Sequence, residues 1–305
     1  MRILVTGGAG FIGSHIVEHF QNRAEIRVLD NLRSGYEKNI APFQVEFIRG
    51  SILDEAILEQ AMAGVDYVFH LAAMISVPES MHKPVECVNI NTIGTLNVLE
   101  AAARAGVKKL CLSTSAAIYG DNPVVPKLES MFPEPKSPYA ETKLSGEYYC
   151  GIYTRERGLP TACLRYFNVF GPRQDPNSQY AAAVPIFISR AVQNAPITIF
   201  GDGEQTRDFI YVKDIAAANA FFALDTNATG VFNVAYGGRI TINDLAKKII
   251  ELTNSKSEIV YLPEREGDVK HSMACIDKLK STGFRPGSNF SDGLAATIGF
   301  FTGKS

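Results

Sequence analysis

A glycine-rich loop between an apolar run and an amphipathic segment constrains this fold more than any other feature. The run Ile-Leu-Val-Thr occupies residues 3–6, and glycines follow at positions 7, 8, 10 and 13. Apolar residues then recur at positions 12, 16, 17 and 20, a spacing that predicts an amphipathic helix. Residues 8–13 fit Gly-x-Gly-x-x-Gly, whose glycines allow a tight turn and a close approach of the backbone to a pyrophosphate. The sequence therefore predicts a strand–loop–helix unit that binds a dinucleotide on the free N–H groups of the helix.

Strand-like and helical segments alternate along the first half of the chain. This alternation implies parallel strands joined by right-handed crossovers, and near-continuous apolar strands are typical of a sheet covered on both faces. We therefore expect an α/β fold: a doubly wound, parallel-sheet Rossmann domain of residues 1–171 plus about 209–240, and a smaller C-terminal, substrate-binding domain of about 172–208 and 241–305. The expected strands are 3–6, 26–30, 45–50, 65–73, 108–115 and 161–171, the expected helices are 12–21, 53–63, 88–105 and 139–157, and a helix at 212–225 and a strand at 230–236 are expected to return to the sheet.

Composition and charge argue against several classes of protein. Hydrophobic residues make up 46% of the 305 residues, and the formal net charge is −2 with no basic block, so a nucleic-acid partner is not indicated. No apolar run is long enough for a membrane span, and residues 1–5 enter a strand directly, so we expect no membrane partner and no signal peptide. The five cysteines are scattered, which is typical of reduced thiols in a cytoplasmic protein. His15 and His19 lack a third ligand nearby, so we expect them on a helix surface and predict no metal site.

An acidic residue at the end of the second predicted strand bears on which dinucleotide binds. Asp30 follows Gly13 by 17 residues, and a carboxylate there accepts hydrogen bonds from a ribose diol and repels a 2′-phosphate. The sequence therefore favours NAD over NADP. Arg33 lies close by and leaves NADP open as the alternative.

A tyrosine and a lysine, Tyr139 and Lys143, are i,i+4 neighbours on a predicted helix whose first turn suits Pro138. A free tyrosine is a poor base at neutral pH because its pKa is about 10. An adjacent ammonium and a cationic nicotinamide would both stabilise its phenolate, which makes Tyr139 a candidate general acid/base. Ser115 ends a predicted strand and could share the substrate proton, because parallel-sheet enzymes place their chemistry at the carboxyl ends of strands.

Four motifs carry a family resemblance over essentially the whole chain: TGGAGFIG, LSTSAAIYG, SPYAETK and RYFNVFGPRQDP. The sequence resembles the extended short-chain dehydrogenase/reductases and, within them, the UDP-hexose 4-epimerases that act on UDP-glucose and UDP-N-acetylglucosamine. The resemblance implies a NAD-dependent interconversion of UDP-glucose with UDP-galactose, and of the N-acetylated pair, through a 4-keto intermediate. It also implies a homodimer formed through the helices near 92–105 and 139–157.

The resemblance also implies roles for particular positions. The implied catalytic residues are Ser115, Tyr139 and Lys143. The implied cofactor-binding residues are Gly7, Gly10, Phe11, Ile12, Asp30, Asn31, Ser51, Ile52, Leu71, Ala72, Ala73, Asn91, Tyr139, Lys143 and Phe167. The implied substrate-binding residues are Ser76, Ser115, Tyr139, Asn168, Gln174, Thr198, Phe200, Arg207, Arg265, Asp268 and Ser272, among which the two arginines could make charge-assisted bonds to a diphosphate.

Two departures from the family pattern limit these implications. The family usually has Gly-Asp-Ile after its third strand, but this chain has Gly50-Ser51-Ile52, so we expect adenine recognition there to be weaker or made by the backbone. Dehydratases and decarboxylases carry acidic residues just after the catalytic Ser or Thr, whereas this chain has Ala116 and Ala117. The alternatives that stay open are another nucleotide-sugar enzyme of the family (an ADP-heptose 6-epimerase, a reductase or a dehydratase) and a non-catalytic, dinucleotide-binding redox sensor.

One position bears on the size of the sugar. In the epimerases that this sequence resembles, the residue seven positions after the diphosphate-binding arginine lies beside the sugar, and a bulky aromatic there restricts the enzyme to plain hexoses. Counted from Arg265 the position is Ser272, and His271 would take its place if the register shifted by one. A small residue predicts room for a 2-acetamido group.

Overall fold

The computed structural model describes residues 1–176, 182–264 and 270–303. Its strands are β1 (Arg2–Thr6), β2 (Glu25–Asp30), β3 (Glu46–Arg49), β4 (Tyr67–His70), β5 (Lys109–Ser115), β6 (Thr161–Tyr166), β7 (Asn168–Phe170), β8 (Ile197–Phe200), β9 (Thr206–Arg207), β10 (Phe209–Tyr211), β11 (Gly230–Val234), β12 (Ile240–Thr241) and β13 (Ile259–Leu262). Its helices are α1 (Phe11–Phe20), α2 (Glu55–Met62), α3 (Val77–His82), α4 (Pro84–Val88), α5 (Gly94–Arg104), α6 (Pro138–Glu156), α7 (Ala183–Val192), α8 (Val212–Leu224), α9 (Ile242–Thr253), α10 (Asp277–Ser281) and α11 (Phe290–Thr302).

Seven parallel strands form the main sheet in the order β11-β6-β5-β4-β1-β2-β3. Apolar residues of α1 and α8 cover one face of this sheet, and those of α2, α5 and α6 cover the other. β1 pairs with β2 on one side and with β4 on the other, so the strand order reverses at β1. Doubly wound sheets bind ligands in the crevice that this reversal opens at the carboxyl ends of the strands. The α/β fold class predicted from the sequence is therefore confirmed, and the site is expected at this edge.

The expected strand at 161–171 is wrong in its second half. The chain leaves the main sheet after Tyr166, because the N–H of Asn168 donates to the carbonyl of Asp208 at 3.2 Å and β7 then pairs with β10. The apolar composition does not change where the chain passes from the main sheet to the pair of β7 and β10. The sequence pattern therefore does not show where β6 ends. Phe167, at this change of partner, lines the crevice.

The expected helix at 88–105 also begins earlier and less regularly than predicted. Helical structure starts at Pro84 in α4, passes through a π-helical turn at Asn89–Ile93 and continues as α5. π-helical turns are rare and occur mostly near functional sites. The turn points Asn91 at the loop after β4, where its side chain accepts from the N–H of Met74 at 2.7 Å and donates to the carbonyl of the same residue at 3.0 Å.

The predicted return to the main sheet is confirmed, because β11 pairs in parallel with β6 directly after α8. Beyond this sheet, the described residues form two-stranded sheets of β10 with β7, β12 with β9, and β13 with β8. One apolar cluster joins α7, α9 and α11 to β8 and β10. The domain boundaries themselves stay a prediction. In the described part of the chain, no helix combines the length and apolar character needed to cross a membrane.

Candidate active site

A groove with a cavity volume of about 760 Å³ occupies the crevice at the carboxyl ends of β1, β2, β4 and β5. The loop between β1 and α1 forms its floor, and α6 and the segment after β6 form its far wall. Nearly all the residues predicted to bind the cofactor line this one groove: Gly7, Gly10, Phe11, Ile12, Asp30, Asn31, Ser51, Ile52, Leu71, Ala72, Ala73, Tyr139, Lys143 and Phe167.

The glycine loop lets the backbones of β1, α1 and the end of β4 approach one another closely. Gly7 has a φ of +72°, and a Cβ there would lie 2.7 Å from the backbone nitrogen of Ala72. A Cβ on Gly13 would lie 2.2 Å from the carbonyl oxygen of Gly7, so glycine is required at both positions for β1, α1 and the end of β4 to meet. α1 has Gly10 as its N-cap and no side-chain cap, so its first N–H groups can serve an anion. This donor set fits the pyrophosphate of a dinucleotide.

Asp30 closes the β2 end of the groove. Its carboxylate accepts from the N–H of Ala9 at 2.9 Å and from the N–H of Leu32 at 2.8 Å. Burial raises the pKa of Asp30, and these two hydrogen bonds oppose that rise because they stabilise the ionised form. A fixed acceptor at this place fits a ribose diol. Ser51, by contrast, uses its hydroxyl to accept from the N–H of Leu53 at 3.2 Å; the expectation that adenine recognition here is weaker or made by the backbone stays a prediction.

The three candidate catalytic residues meet at the other end of the groove. Ser115 is the last residue of β5, and Tyr139 and Lys143 project from the first turns of α6, which Ser137 caps by accepting from the N–H of Ala140 at 3.2 Å. Lys143 Nζ donates to the carbonyl of Ser113 at 3.0 Å and lies 5.7 Å from the centroid of the Tyr139 ring. The N–H of Tyr139 donates to Ser80 Oγ at 3.2 Å, so α3 also fixes the start of α6.

Burial shapes the electrostatics of this triad. It lowers the pKa of Lys143 to about 8 and raises the pKa of Tyr139, while a hydrogen bond with Ser115 acts to lower the latter. Each shift reflects the cost of holding a charge away from water. The opposite charges of a Tyr139 phenolate and a Lys143 ammonium reduce the cost of burying each charge. The pair is therefore suited to proton transfer. This geometry can take a proton from a hydroxyl held at the strand end.

A buried ion pair fixes the catalytic helix against the sheet. Arg165 on β6 binds Glu147 on α6 through two hydrogen bonds of 2.8 and 2.6 Å. Thr114, the neighbour of Ser115, donates to the same carboxylate at 2.9 Å. Burial opposes the charge on Arg165, but the hydrogen bonds and charge of Glu147 outweigh it and raise the pKa of the guanidinium. Glu147 lies one turn beyond Lys143, so this contact sets the register of α6 relative to β5.

Most of the remaining predicted positions that the structure describes lie around the groove rather than in its wall. Asn91 holds the loop after β4, as described above. Ser76 caps α3 by accepting from the N–H of Glu79 at 3.0 Å. Gln174 does line the groove; its Nε2 donates to the carbonyl of Val169 at 3.2 Å, and its Oε1 is buried without a hydrogen-bond partner among the described residues. Asn168, Thr198, Phe200, Arg207 and Ser272 lie outside the groove wall, and Arg265 and Asp268 fall outside the described residues.

Segments distant in sequence meet at the expected substrate end. The N–H of Ser272 donates to the carbonyl of Thr206 at 3.1 Å, and the hydroxyl of Thr206 hydrogen-bonds His271 Nδ1 at 3.0 Å. The buried carboxylate of Asp208 accepts from the N–H groups of Tyr236, Gly237 and Ala274. Ser272 is therefore held beside β9, which carries Arg207. Its role beside a sugar stays a prediction.

The expectation that His15 lies on a helix surface is wrong. His15 is 2% exposed, and its Nε2 donates to the carbonyl of Pro172 at 2.9 Å. Arg173 Nη2 donates to its Nδ1 at 2.6 Å and also contacts Glu18. Burial is the main cause that lowers the pKa of His15. Sequence reasoning missed Arg173, which lines the groove; its place within RYFNVFGPRQDP, one residue before Gln174, was the available signal.

Comparisons with known proteins agree with this geometry. The model of the NAD dependent epimerase/dehydratase family matches residues 3–235. A curated relative, the putative UDP-glucose 4-epimerase of Methanocaldococcus jannaschii, is 38% identical over 97% of both chains. The UDP-N-acetylglucosamine 4-epimerase of Methanobrevibacter ruminantium M1, solved in complex with UDP-N-acetylmuramic acid, is 42% identical with a TM-score of 0.95, over 100% of this chain and 99% of the other. The UDP-glucose 4-epimerase of Thermotoga maritima, solved with UDP-glucose, is 42% identical with a TM-score of 0.94, over 99% of both chains.

Proposed function

This chain belongs to the NAD dependent epimerase/dehydratase family, and we propose that it is a UDP-hexose 4-epimerase that interconverts UDP-glucose and UDP-galactose. The observation that carries the proposal is the meeting of Ser115, Tyr139 and Lys143 at the end of a groove whose other end fits NAD. Relatives named as UDP-sugar 4-epimerases align over nearly the whole chain, which supports the same substrate class here.

Proton transfer at the sugar falls to Tyr139. NAD held in this groove would supply the hydride chemistry at C4 of the sugar. Tyr139 takes the proton of the C4 hydroxyl and returns it after the 4-keto sugar has rotated to present its opposite face. Ser115 holds the same oxygen through its hydroxyl, and the Lys143 ammonium stabilises the phenolate. Gly7, Gly10 and the first turn of α1 would hold the pyrophosphate, and Asp30 the adenosine ribose.

The residues after Ser115 favour epimerisation over its closest alternatives. The turn Ala116–Tyr119 carries methyl groups where dehydratases and decarboxylases of the family carry acids. Elimination of water needs an acid and a base beside the sugar, and Ala116 and Ala117 offer neither. Ser115, Tyr139 and Lys143 are all present and line the same groove, which speaks against a non-catalytic redox sensor.

We also propose that the enzyme accepts UDP-N-acetylglucosamine and converts it to UDP-N-acetylgalactosamine. The backbone of Ser272 is hydrogen-bonded to Thr206 of β9. The small side chain of Ser272 would leave space for the 2-acetamido group of the sugar. One similar enzyme is named as a UDP-N-acetylglucosamine 4-epimerase, which supports this breadth. Arg207 and Arg265 would bind the diphosphate with charge-assisted hydrogen bonds while the sugar rotates.

The test is an assay with no added cofactor. The purified chain is incubated with UDP-glucose, UDP-N-acetylglucosamine or UDP-glucuronic acid in separate reactions, and the products are separated by chromatography. We expect UDP-galactose and UDP-N-acetylgalactosamine from the first two and no release of carbon dioxide from the third. Loss of carbon dioxide, or products that form only when NADPH is supplied, would replace the epimerase with a decarboxylase or a reductase.

We also propose that the chain forms a homodimer and is located in the cytoplasm. Val85 on α4 is 74% exposed and Tyr148 on α6 is 60% exposed, and α4 packs against α6. An apolar face of this kind supports a homodimer formed through α6 and its neighbours, and light scattering of Tyr148→Asp beside the unmodified chain tests it. The five cysteines are all unpaired, which supports a reducing location such as the cytoplasm.

A further inference from the structure

A second, smaller cavity of about 390 Å³ adjoins the cofactor groove and is lined by two cations and two anions, Arg33 and Lys83 with Glu79 and Glu86. Arg33 lines the groove as well as this second cavity. Its Nη1 donates to Glu86 Oε1 at 2.5 Å, and its Nη2 donates to Glu79 Oε1 at 2.8 Å. Both ends of the guanidinium are therefore committed to carboxylates. We call these three residues the Arg33 clasp.

The clasp passes over the cofactor groove. Arg33 lies in the loop after β2, whereas Glu79 and Glu86 lie on α3 and α4 after β4. In the sheet, β2 and β4 are the two neighbours of β1, whose carboxyl end carries the glycine loop. The two ion pairs thus connect the loop after β2 to the helices after β4 and commit the Arg33 side chain to carboxylates of those helices.

We propose that Glu79 and Glu86 are determinants of cofactor specificity: by holding Arg33 across the groove, they withhold it from the 2′-phosphate of NADP and keep the site selective for NAD. The inference rests on the proposed function, because it takes NAD as the resident dinucleotide. Asp30 alone does not determine the choice; the clasp also withholds from a phosphate Arg33, the first cation after Asp30 in the loop that follows β2.

The 2′-phosphate of a bound NADP would lie near the end of β2. An arginine near the end of β2 is the group that accommodates this phosphate in NADP-binding folds, and Arg33 comes three residues after Asp30. To bind it, Arg33 would have to leave two carboxylates, and the phosphate would then lie near their negative charges. Both effects disfavour NADP. With the two acids neutralised, neither effect remains and the guanidinium can pair with phosphate.

The clasp is exposed enough to be altered without unfolding the protein. The side chains of Arg33 and Glu79 are each 32% exposed and that of Glu86 is 41% exposed, and ion pairs at such sites contribute little to stability. Lys83 lies 3.4 Å from Glu79 and 3.7 Å from Glu86, so a variant without the acids also frees this lysine. The experiment must separate its effect from that of Arg33.

The test measures binding rather than turnover. The full chain is equilibrated with an equimolar excess of NAD and NADP, free nucleotide is removed, and the bound nucleotides are quantified by chromatography. The variants are Glu79→Gln/Glu86→Gln and the same pair with Arg33→Ala added. A matched control, Glu156→Gln/Glu258→Gln, changes the net charge equally at exposed positions outside both cavities.

We expect the ratio of bound NADP to bound NAD to rise about tenfold or more in Glu79→Gln/Glu86→Gln, the range expected for a hydrogen bond to a charged group. The ratio should return close to the wild-type value when Arg33→Ala is added, and the matched control should not change it. An unchanged ratio in the double variant, or the same rise with and without Arg33, overturns the inference. Wild-type protein that binds NADP in preference to NAD would instead overturn the cofactor in the proposed function.

Discussion

The cofactor end of the groove and the expected substrate-binding region beside β9, which we call the substrate end, are built in different ways. At the cofactor end, β1, the glycine loop, α1 and the end of β2 lie within the first 30 residues, and recognition depends on backbone N–H groups and one carboxylate. At the substrate end, Thr206 meets His271 and Asp208 meets Ala274, pairs that are 65 and 66 residues apart in sequence. Backbone recognition tolerates little change, whereas paired loops can exchange side chains without moving the sheet. The difference predicts that the cofactor end fixes the chemistry and the substrate end determines which sugar enters.

The largest effect is expected where the two ends meet. Tyr139→Phe removes the phenolic proton and should lower kcat by about 10²–10⁴-fold, as for the loss of one general acid or base. The fold and NAD binding should survive, because phenylalanine keeps the buried ring and the backbone N–H that donates to Ser80. Steady-state rates with UDP-glucose, combined with bound NAD and the melting temperature, check this. A rate near that of the wild type would remove Tyr139 from the mechanism.

A substitution at the cofactor end should be the next most damaging. Gly13→Ala places a Cβ 2.2 Å from a backbone oxygen, so the loop must shift, and overpacking of this kind costs about 1–3 kcal/mol or more. We expect weaker NAD binding and a lower free energy of unfolding. Gly151→Ala on α6 is the matched control, because its Cβ would meet only the end of the Arg155 side chain at 3.3 Å. Equal effects at the two glycines would contradict the backbone-recognition argument.

At the substrate end, the expected effect is on selectivity alone. Ser272→Tyr should suppress UDP-N-acetylglucosamine relative to UDP-glucose, because overfilling a packed pocket costs about 1–3 kcal/mol, or roughly 5–150-fold in kcat/KM. The ratio of kcat/KM for the two sugars, measured for both proteins, decides the matter. NAD binding should not change. If the ratio stays constant, or if the wild type rejects the N-acetylated sugar, then Ser272 does not limit sugar size.

The last effect is confined to acid pH and concerns stability on the cofactor side. His70 is buried between Thr6 and Thr95, with which its ring nitrogens hydrogen-bond at 2.7 and 3.0 Å. Burial, assisted by the charge of Lys143, lowers the pKa of His70 to about 3. Between about pH 6.5, the ordinary value, and that pKa, the unfolded chain binds a proton that the folded chain does not. Stability is therefore lost as the pH falls through this window, by up to about 1.4 kcal/mol per pH unit.

His70→Gln should reduce the slope of unfolding free energy against pH between pH 4 and 6, whatever its effect on stability at neutral pH. Chemical denaturation at several pH values measures that slope. The exposed His82→Gln serves as a control and should leave the slope as it is. An equal slope in the wild type and His70→Gln would show that His70 takes up its proton in the folded protein as readily as in the unfolded chain.

The sequence predicted the parts of the site that depend on local patterns, and it did not predict those that depend on contacts between distant residues. The glycine loop, Asp30 and the Tyr139–Lys143 pair are short local patterns, so their helices, strands and shared groove could be inferred directly. The burial of His15 could not, because it depends on Pro172 and Arg173, which are 157 and 158 residues away. The Arg33 clasp has the same character: Glu79 and Glu86 are 46 and 53 residues from Arg33 and carry no motif of their own. Contacts between distant surface charges leave no periodic trace in a sequence.

The buried bond between Arg165 and Glu147 has a consequence for local opening of the protein. Because the bond joins α6 to β5 and β6, these three elements should unfold together rather than one at a time, and their amide hydrogens should exchange with solvent only at the free energy of global unfolding. The hydrogen bond between Thr206 and His271 is exposed to solvent, so the amides of the loops around Thr206 and Ser272 should exchange at a lower cost. Transient openings of these loops would therefore leave Tyr139 and Lys143 in place on α6.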